Sequence, residues 1–396
     1  MMRLRYTLLL ISSVLIGLLT WSLYNYFFDG TTPVVVVRGI EYDSYCAGDV
    51  QCILESNKKG EVALWLDGTL LTDKYTISAR DAHPFAIPTK TISNGKHMLK
   101  VEVTDTSFAK NKTIIDRPFV VDNQTLQTML VKTDDVYKVF QGRTLHVQLQ
   151  ANKPLSKAII NVLSQEYEFF PEAPNSLIYE AYVPVPCEET PNEYLFTVQA
   201  TDKVGNSVKL DSKMQVVMFP FKKHTLQVSE QKMQEEERLG GDQTRLKELM
   251  YELTAQSPKE KLWKGAFCPP MDIAKITCDF GTIRTTQLKG RYAHKALDVV
   301  NMPKSVVWAP QDGVVVLKER FAYTGNTVII DHGLGILSMF CHLSDFAKIN
   351  VGDKICKGNP IGKTGSTGYA TGDHLHWEMW VNNIAIDPMQ WTKSNF

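Results

Sequence analysis

The triplet His374-Leu375-His376, set against His294-Lys295-Ala296-Leu297-Asp298 earlier in the chain, constrains the fold more than any other feature. An H-x-H pair on a strand directs both imidazoles to one face, because side chains alternate with period two. The two residues then stand about 7 Å apart at about 3.3 Å per residue. One ring can hold a metal while the other faces whatever that metal binds. A His and an Asp from another segment would complete a His2Asp set. Three protein ligands with a fourth position open for water are the pattern of a catalytic zinc site. On one straight strand His294 and Asp298 would lie about 13 Å apart. Both reach one ion only if the chain bends between them, and the flanking sequence is not helical.

Composition sets the frame. The chain has 396 residues, 44% of them hydrophobic, with no net charge. That length predicts two to four domains with packed cores. No long basic run occurs, so nucleic acid is not an expected partner.

Tyr6 to Phe28 contains no charged residue and follows Arg3 and Arg5. Its length suffices to cross a hydrocarbon core of about 30 Å. The two arginines predict a cytoplasmic N-terminus, and Tyr24, Tyr26, Phe27 and Phe28 crowd the far end like an aromatic belt. A cleaved signal peptide is the competing reading, but no A-x-A-like site precedes Thr31. The expectation is an uncleaved single-pass membrane anchor at residues 6–28, with all later domains on the far side of that membrane. The first cysteine, Cys46, lies well past the apolar run, which argues against lipid attachment there.

Seven cysteines are present. Cys46 with Cys52, and Cys268 with Cys278, are plausible disulfides in an oxidising compartment. An odd count leaves at least one thiol unpaired, and several could be buried apolar residues. C-x-x-C spacing is absent, so a thiolate zinc cluster is not indicated.

Residues 33–220 read as all-β. Val34–Val37, Glu61–Leu66 and Leu145–Leu149 are alternating or β-branched runs, separated by turns such as Asp67-Gly68, Asn94-Gly95 and Gly205-Asn206. A weak repeat matches residues 97–105 to 194–202, each copy running on to Asn111 or Asn206. Its offset suits one immunoglobulin-like sandwich. We expect two such domains, 31–123 and 124–220, serving as spacers or docking modules. Their scattered His83, His97 and His146 do not suggest ligation.

Residues 221–262 predict a helical connector. Gln227 to Arg238 is rich in Glu, Gln and Lys, and Gly240-Gly241 would break it. Asp242 is an expected N-cap. Leu246, Leu249, Met250 and Leu253 form one apolar face, and Ser257-Pro258 ends the helix. From Trp263 the chain is strand-and-turn again, with strands around Val314–Leu317, Val328–Ile330 and Trp377–Val381. The glycines of 358–368 permit positive φ but are not spaced as a phosphate-binding loop.

Five of the nine histidines, His294, His332, His342, His374 and His376, fall in this last third. The matching stretches are Phe280-Gly281, His294-x-x-x-Asp298, Ala309-Pro310-x-x-Gly313, Asp331-His332-Gly333-x-Gly335, His342-Leu343-Ser344, Gly352-Asp353, Gly358-x-x-Ile361-Gly362-x-x-Gly365-x-Thr367-Gly368 and Gly372-x-His374-Leu375-His376. On these, residues 263–392 resemble the lysostaphin/LytM-type zinc endopeptidases, metallopeptidase family 23.

The resemblance implies an antiparallel β domain at 263–396, with Zn2+ held by His294, Asp298 and His376. It implies His374 and His342 as the catalytic pair. Zinc would polarise a scissile amide and lower the pKa of its bound water toward about 7. His374 would serve as general base. His342 would orient the water, or stabilise the oxyanion when protonated. The expected substrate is the peptide cross-link of peptidoglycan, at a D-Ala to meso-diaminopimelate bond or a glycine bridge, which implies that residues 6–28 anchor the chain in a bacterial inner membrane with the later domains in the periplasm.

Ala296 stands where the family has Gly, at a strain cost of about 1 kcal/mol if φ is positive there. His332 is expected to be structural. Tyr292 is read either as an oxyanion donor or as a surface residue, and Glu378 either as a partner of the ligand or as strand packing. The alternative function is a non-enzymatic or weakly active protein of this fold that binds the wall or activates a partner hydrolase. Such proteins lack one or more of the five residues, all of which are present here.

Overall fold

The computed structural model describes residues 2–131, 136–225, 230–286 and 290–393, with side chains from residue 10 on except 232, 233, 235 and 236. Gln227–Ser229 of the connector, and the side chains of Arg3 and Arg5 that underlie the orientation expectation, lie outside the described residues. The chain is mainly β, as its alternating pattern predicts. It divides into two compact units, Met1–Thr125 with Lys203–Asn206, and Leu126–Asp202 with Ser207–Phe396.

The first unit opens with the helix Met2–Phe28. Its segment Leu10–Phe28 is long and apolar enough to cross a membrane, and none of it is buried in the protein. The strands that follow form a six-stranded sheet and a three-stranded sheet. Inward residues of both, such as Leu54 and Ile87 against Leu64, Val101 and Phe119, share one core. Asp67 and Gly68 both have positive φ, 50° and 81°, as a tight hairpin turn requires.

The second unit contains a similar sandwich, a five-stranded sheet over a four-stranded one, packed through Val147, Leu149, Ile160 and Val198. The repeat segments are the strands Gly95–Asp105 and Glu193–Asp202, each followed by its hairpin partner. In both modules a short strand pairs parallel with that partner. Each repeat ends on a buried aspartate beside a lysine, Asp105 with Lys58 at 3.2 Å and Asp202 with Lys153 at 2.6 Å.

The C-terminal domain is built on an eight-stranded antiparallel sheet. One face, with Leu297, Val299, Phe340 and Trp377, packs on a three-stranded sheet through Val307 and Ile361. On the opposite face Leu317, Ile329 and Met339 receive Leu246 and Met250 of the helix Gly240–Gln256, with Leu249 and Leu253 beside them. The apolar stripe of the connector therefore lies on the sheet. The sandwich of this unit also contacts the domain. Gln390 exchanges two 2.8 Å hydrogen bonds with the backbone of Thr144, and Tyr182 packs against Trp263 and Trp391.

Three expectations are corrected. All seven cysteines are free thiols. Cys46 and Cys52 lie on strands of opposite sheets, Cys268 faces the Pro310 carbonyl at 3.4 Å, and Cys278 faces Arg284 at 3.1 Å. Asp242 is not the N-cap. Leu239 holds that position, while the Asp242 carboxylate accepts a hydrogen bond from the Tyr323 amide at 3.0 Å. Gly240-Gly241 opens the second helix rather than separating the two, because the interruption is Leu239 alone.

Candidate metal centre and its histidine shell

Cross-strand register assembles the centre. Cys278 pairs with Asp298, Asp298 with His376, and His376 with Cys341. Directly opposed residues project to the same face of a sheet, so these four side chains form a row on the face that also receives the helix. Trp377 alternates onto the other face and is fully buried.

His294 joins the row through the bend the sequence demands. The strand Gly290–Ala293 belongs to a small separate sheet, whereas Leu297–Val300 belongs to the large one. The chain changes sheets between them, which brings His294 Nε2 to 3.0 Å from Asp298 Oδ2. The His294 backbone is held by the 281–282 segment: the Gly281 amide donates to the His294 carbonyl at 2.7 Å, and the His294 amide to the Thr282 carbonyl at 2.9 Å. Gly281 has φ +75°, and a Cβ there would lie 2.1 Å from the Phe221 ring. Ala296 is fully buried and is not among the positive-φ residues, so alanine carries no backbone strain there.

His376 Nδ1 lies 2.8 Å from Asp298 Oδ1, and its Nε2 lies 2.8 Å from Glu378 Oε1. Glu378 is 8% exposed and its other oxygen accepts from the Trp380 indole at 2.6 Å. With Nε2–H donated to Glu378, Nδ1 is the nitrogen left to face the centre. Glu378 is thus a partner of His376 rather than plain strand packing.

The other two histidines close the shell. The His342 ring lies 4.8 Å from that of His374 and 5.5 Å from that of His376, centroid to centroid. His342 donates Nδ1–H to the Thr367 carbonyl at 2.9 Å, and His374 does the same to Gly372 at 2.9 Å. Each therefore presents Nε2. His374 precedes the strand Leu375–Val381 and is tied to Gly365 by an isolated bridge. His342 has φ +62°, a costly conformation for a residue with a side chain.

Electrostatics follow from burial and pairing. Burial opposes the Asp298 charge, but the close His294 and His376 imidazoles outweigh it and hold the carboxyl well below its usual range. Burial also opposes the His376 charge, and Asp298 and Glu378 overcome it, raising the imidazole to about 9. Burial, helped by the neighbouring His376, holds His342 down to about 3. Burial likewise lowers His294.

The donor set fits a metal ion. His294 is 5% exposed, and its buried Nε2 sits 3.0 Å from Asp298 Oδ2 in a contact that lacks hydrogen-bond geometry. A buried nitrogen in that condition is costly unless something else satisfies it. Ligand atoms of Cys278, His294 and Asp298 all lie within 4.8 Å of one another. His376 lies outside that tightest trio and joins it through Asp298.

All five expected site residues are therefore neighbours. His332 is not among them. It is fully buried with Nδ1 on the Asp312 carbonyl at 2.7 Å and Nε2 on Ser338 at 2.9 Å. Tyr292 stands opposite Arg284 in the small sheet. Cys278 and Arg284 are neighbours the sequence did not reveal. Arg284 Nη2 lies 3.1 Å from Cys278 Sγ and 3.5 Å from Asp298 Oδ2. Only the register of Cys278 with Asp298 could have exposed them.

The C-terminal domain is similar to known peptidases. Residues 292–388 match the model of peptidase family M23. The peptidoglycan DD-endopeptidase ShyC of Vibrio cholerae is 32% identical over 120 residues, 30% of this chain and 28% of that protein. The DD-carboxypeptidase/endopeptidase Mpg of Neisseria meningitidis is 33% identical over 127 residues, 32% of this chain and 29% of that one. The chain thus spans less than a third of the length of these relatives. Among solved structures, the catalytic domain of lysostaphin from Staphylococcus simulans matches at 26% identity, covering 36% of this chain and 97% of that one, with a TM-score of 0.24.

Proposed function

We propose, from the premise that this chain carries a peptidase M23 domain at its C-terminal end, that it is a zinc-dependent endopeptidase cutting amide bonds in peptidoglycan cross-links. The observation that carries this reading is the convergence of His294 and His376 on the two oxygens of Asp298, at 3.0 and 2.8 Å, beside two histidines that each present Nε2.

His294 Nε2, the Asp298 carboxylate and His376 Nδ1 would hold the metal. When bound, zinc supplies Lewis acidity and lowers the pKa of water at the site toward about 7. The remaining work belongs to the chain. His374 Nε2, with its ring oriented through Gly372, takes the proton from the attacking water and can return it to the leaving amine. His342 is held neutral by burial, so its Nε2 acts as an acceptor that orients the water. That favours the water-orienting role over a cationic oxyanion donor. Glu378 fixes the His376 tautomer.

The apolar helix Leu10–Phe28 supports an anchor in the bacterial inner membrane. We read the two sandwiches as immunoglobulin-like modules carried with the peptidase domain in the periplasm. The homologues that act on peptidoglycan support an envelope location.

The test is digestion of purified sacculi by the full chain in detergent, with released fragments identified by mass spectrometry and His376→Ala alongside. The proposal expects cross-linked peptides to be cut by the native chain and spared by the variant. Intact cross-links with a folded, metal-loaded chain would overturn it.

A further inference from the structure

We propose that Cys278 is a fourth protein donor to this centre, so that the chain can bind its metal through one sulfur, two imidazoles and one carboxylate. The inference rests on the reading that His294, Asp298 and His376 hold a metal.

The argument starts from register. Cys278 is directly opposite Asp298, on the same sheet face, and 8% exposed. Its sulfur lies within 4.8 Å of ligand atoms of both His294 and Asp298. The second observation is independent of the thiol. His294 Nε2, in a residue 5% exposed, lies 3.0 Å from Asp298 Oδ2 without hydrogen-bond geometry, as two donors facing one ion would. A buried cysteine is usually a small apolar residue. Cys278 belongs to none of the apolar clusters among the described residues, and it has no disulfide partner.

Arg284 adds to the case. Its guanidinium sits 3.1 Å from the sulfur and 3.5 Å from Asp298 Oδ2, a positive charge that would balance the sulfur and carboxylate donors of the centre. On coordination one sulfur–metal bond forms and the thiol proton leaves to solvent. Zinc takes thiolate at about 2.3 Å and imidazole at about 2.0–2.1 Å, in tetrahedral sets of four. Four protein donors make a closed site, whereas catalysis needs one position open to water. The sulfur would therefore cap the resting centre, and a Cys278 that let go would leave one position open to water.

The experiment is X-ray absorption at the metal edge of the zinc-loaded full chain, with the visible and near-ultraviolet spectrum of the cobalt-loaded chain beside it. The proposal expects one sulfur at about 2.3 Å and a thiolate-to-cobalt charge-transfer band. Cys278→Ser should lose both while keeping one metal per chain. The native spectra decide the matter even if that variant does not fold. Stoichiometric metal with only nitrogen and oxygen neighbours would overturn the role of Cys278 and leave the His2Asp site standing. No stoichiometric metal in folded native protein would overturn both readings.

Discussion

At the scale of residues, the centre depends on how each imidazole is pinned. Glu378 holds His376 by Nε2 and is itself held by Trp380. Removing such a carboxylate partner typically weakens metal affinity about 10–100-fold. Glu378→Gln should lose affinity in that range by chelator competition while folding normally. His342 gives a second test. At φ +62° an L-residue is strained by about 1–2 kcal/mol, and glycine is not. His342→Gly should therefore be more stable than His342→Ala by about 1 kcal/mol in denaturant unfolding, with neither supporting cleavage. That His294, Asp298, His342, His374 and His376 would converge was legible because motif spacing carries them. Cys278 and Arg284 were not, because a residue's neighbour across a sheet is set by register, which local sequence does not state.

At the scale of elements, pattern was more legible than ends. The spacing of Leu246, Leu249, Met250 and Leu253 identified the buried face of the connector helix. Its start was misread because Asp242 is engaged by the Tyr323 amide, a tertiary partner that outcompetes capping. The cysteine spacing likewise said nothing about which sheet each thiol would join.

The strand Ile178–Pro184 carries its own prediction. Buried Glu180 meets His146 at 3.0 Å and Lys261 at 2.9 Å. Burial opposes its charge, but those two partners prevail and lower it to about 2. A carboxyl depressed in the folded state contributes stability above its unfolded pKa and loses it as pH falls through the folded value. About 3 kcal/mol should be lost between roughly pH 4.5 and pH 2. Thermal unfolding across that window should show the decline, and Glu180→Gln should be less stable at neutral pH and lack this contribution.

At the scale of the whole molecule, the apolar N-terminal run, the paired sandwiches and the C-terminal β domain were all visible in the sequence. Hydrophobic runs, repeats and motif order are long signals that average over local exceptions. The matched lysine–aspartate pairs, Lys58 with Asp105 and Lys153 with Asp202, became visible only with the fold. The sequence could not tell that the second sandwich and the C-terminal domain would form one compact unit. That association rests on side chains scattered along the chain, such as Thr144, Tyr182, Trp263 and Gln390. The account as a whole stands on metal-dependent cleavage at the histidine cluster. Its most direct test strips the full chain with a chelator, restores zinc, and follows cross-link hydrolysis in sacculi by mass spectrometry. The account predicts cleavage that stops on stripping and returns with zinc. Cleavage that persists in the metal-free chain would contradict it.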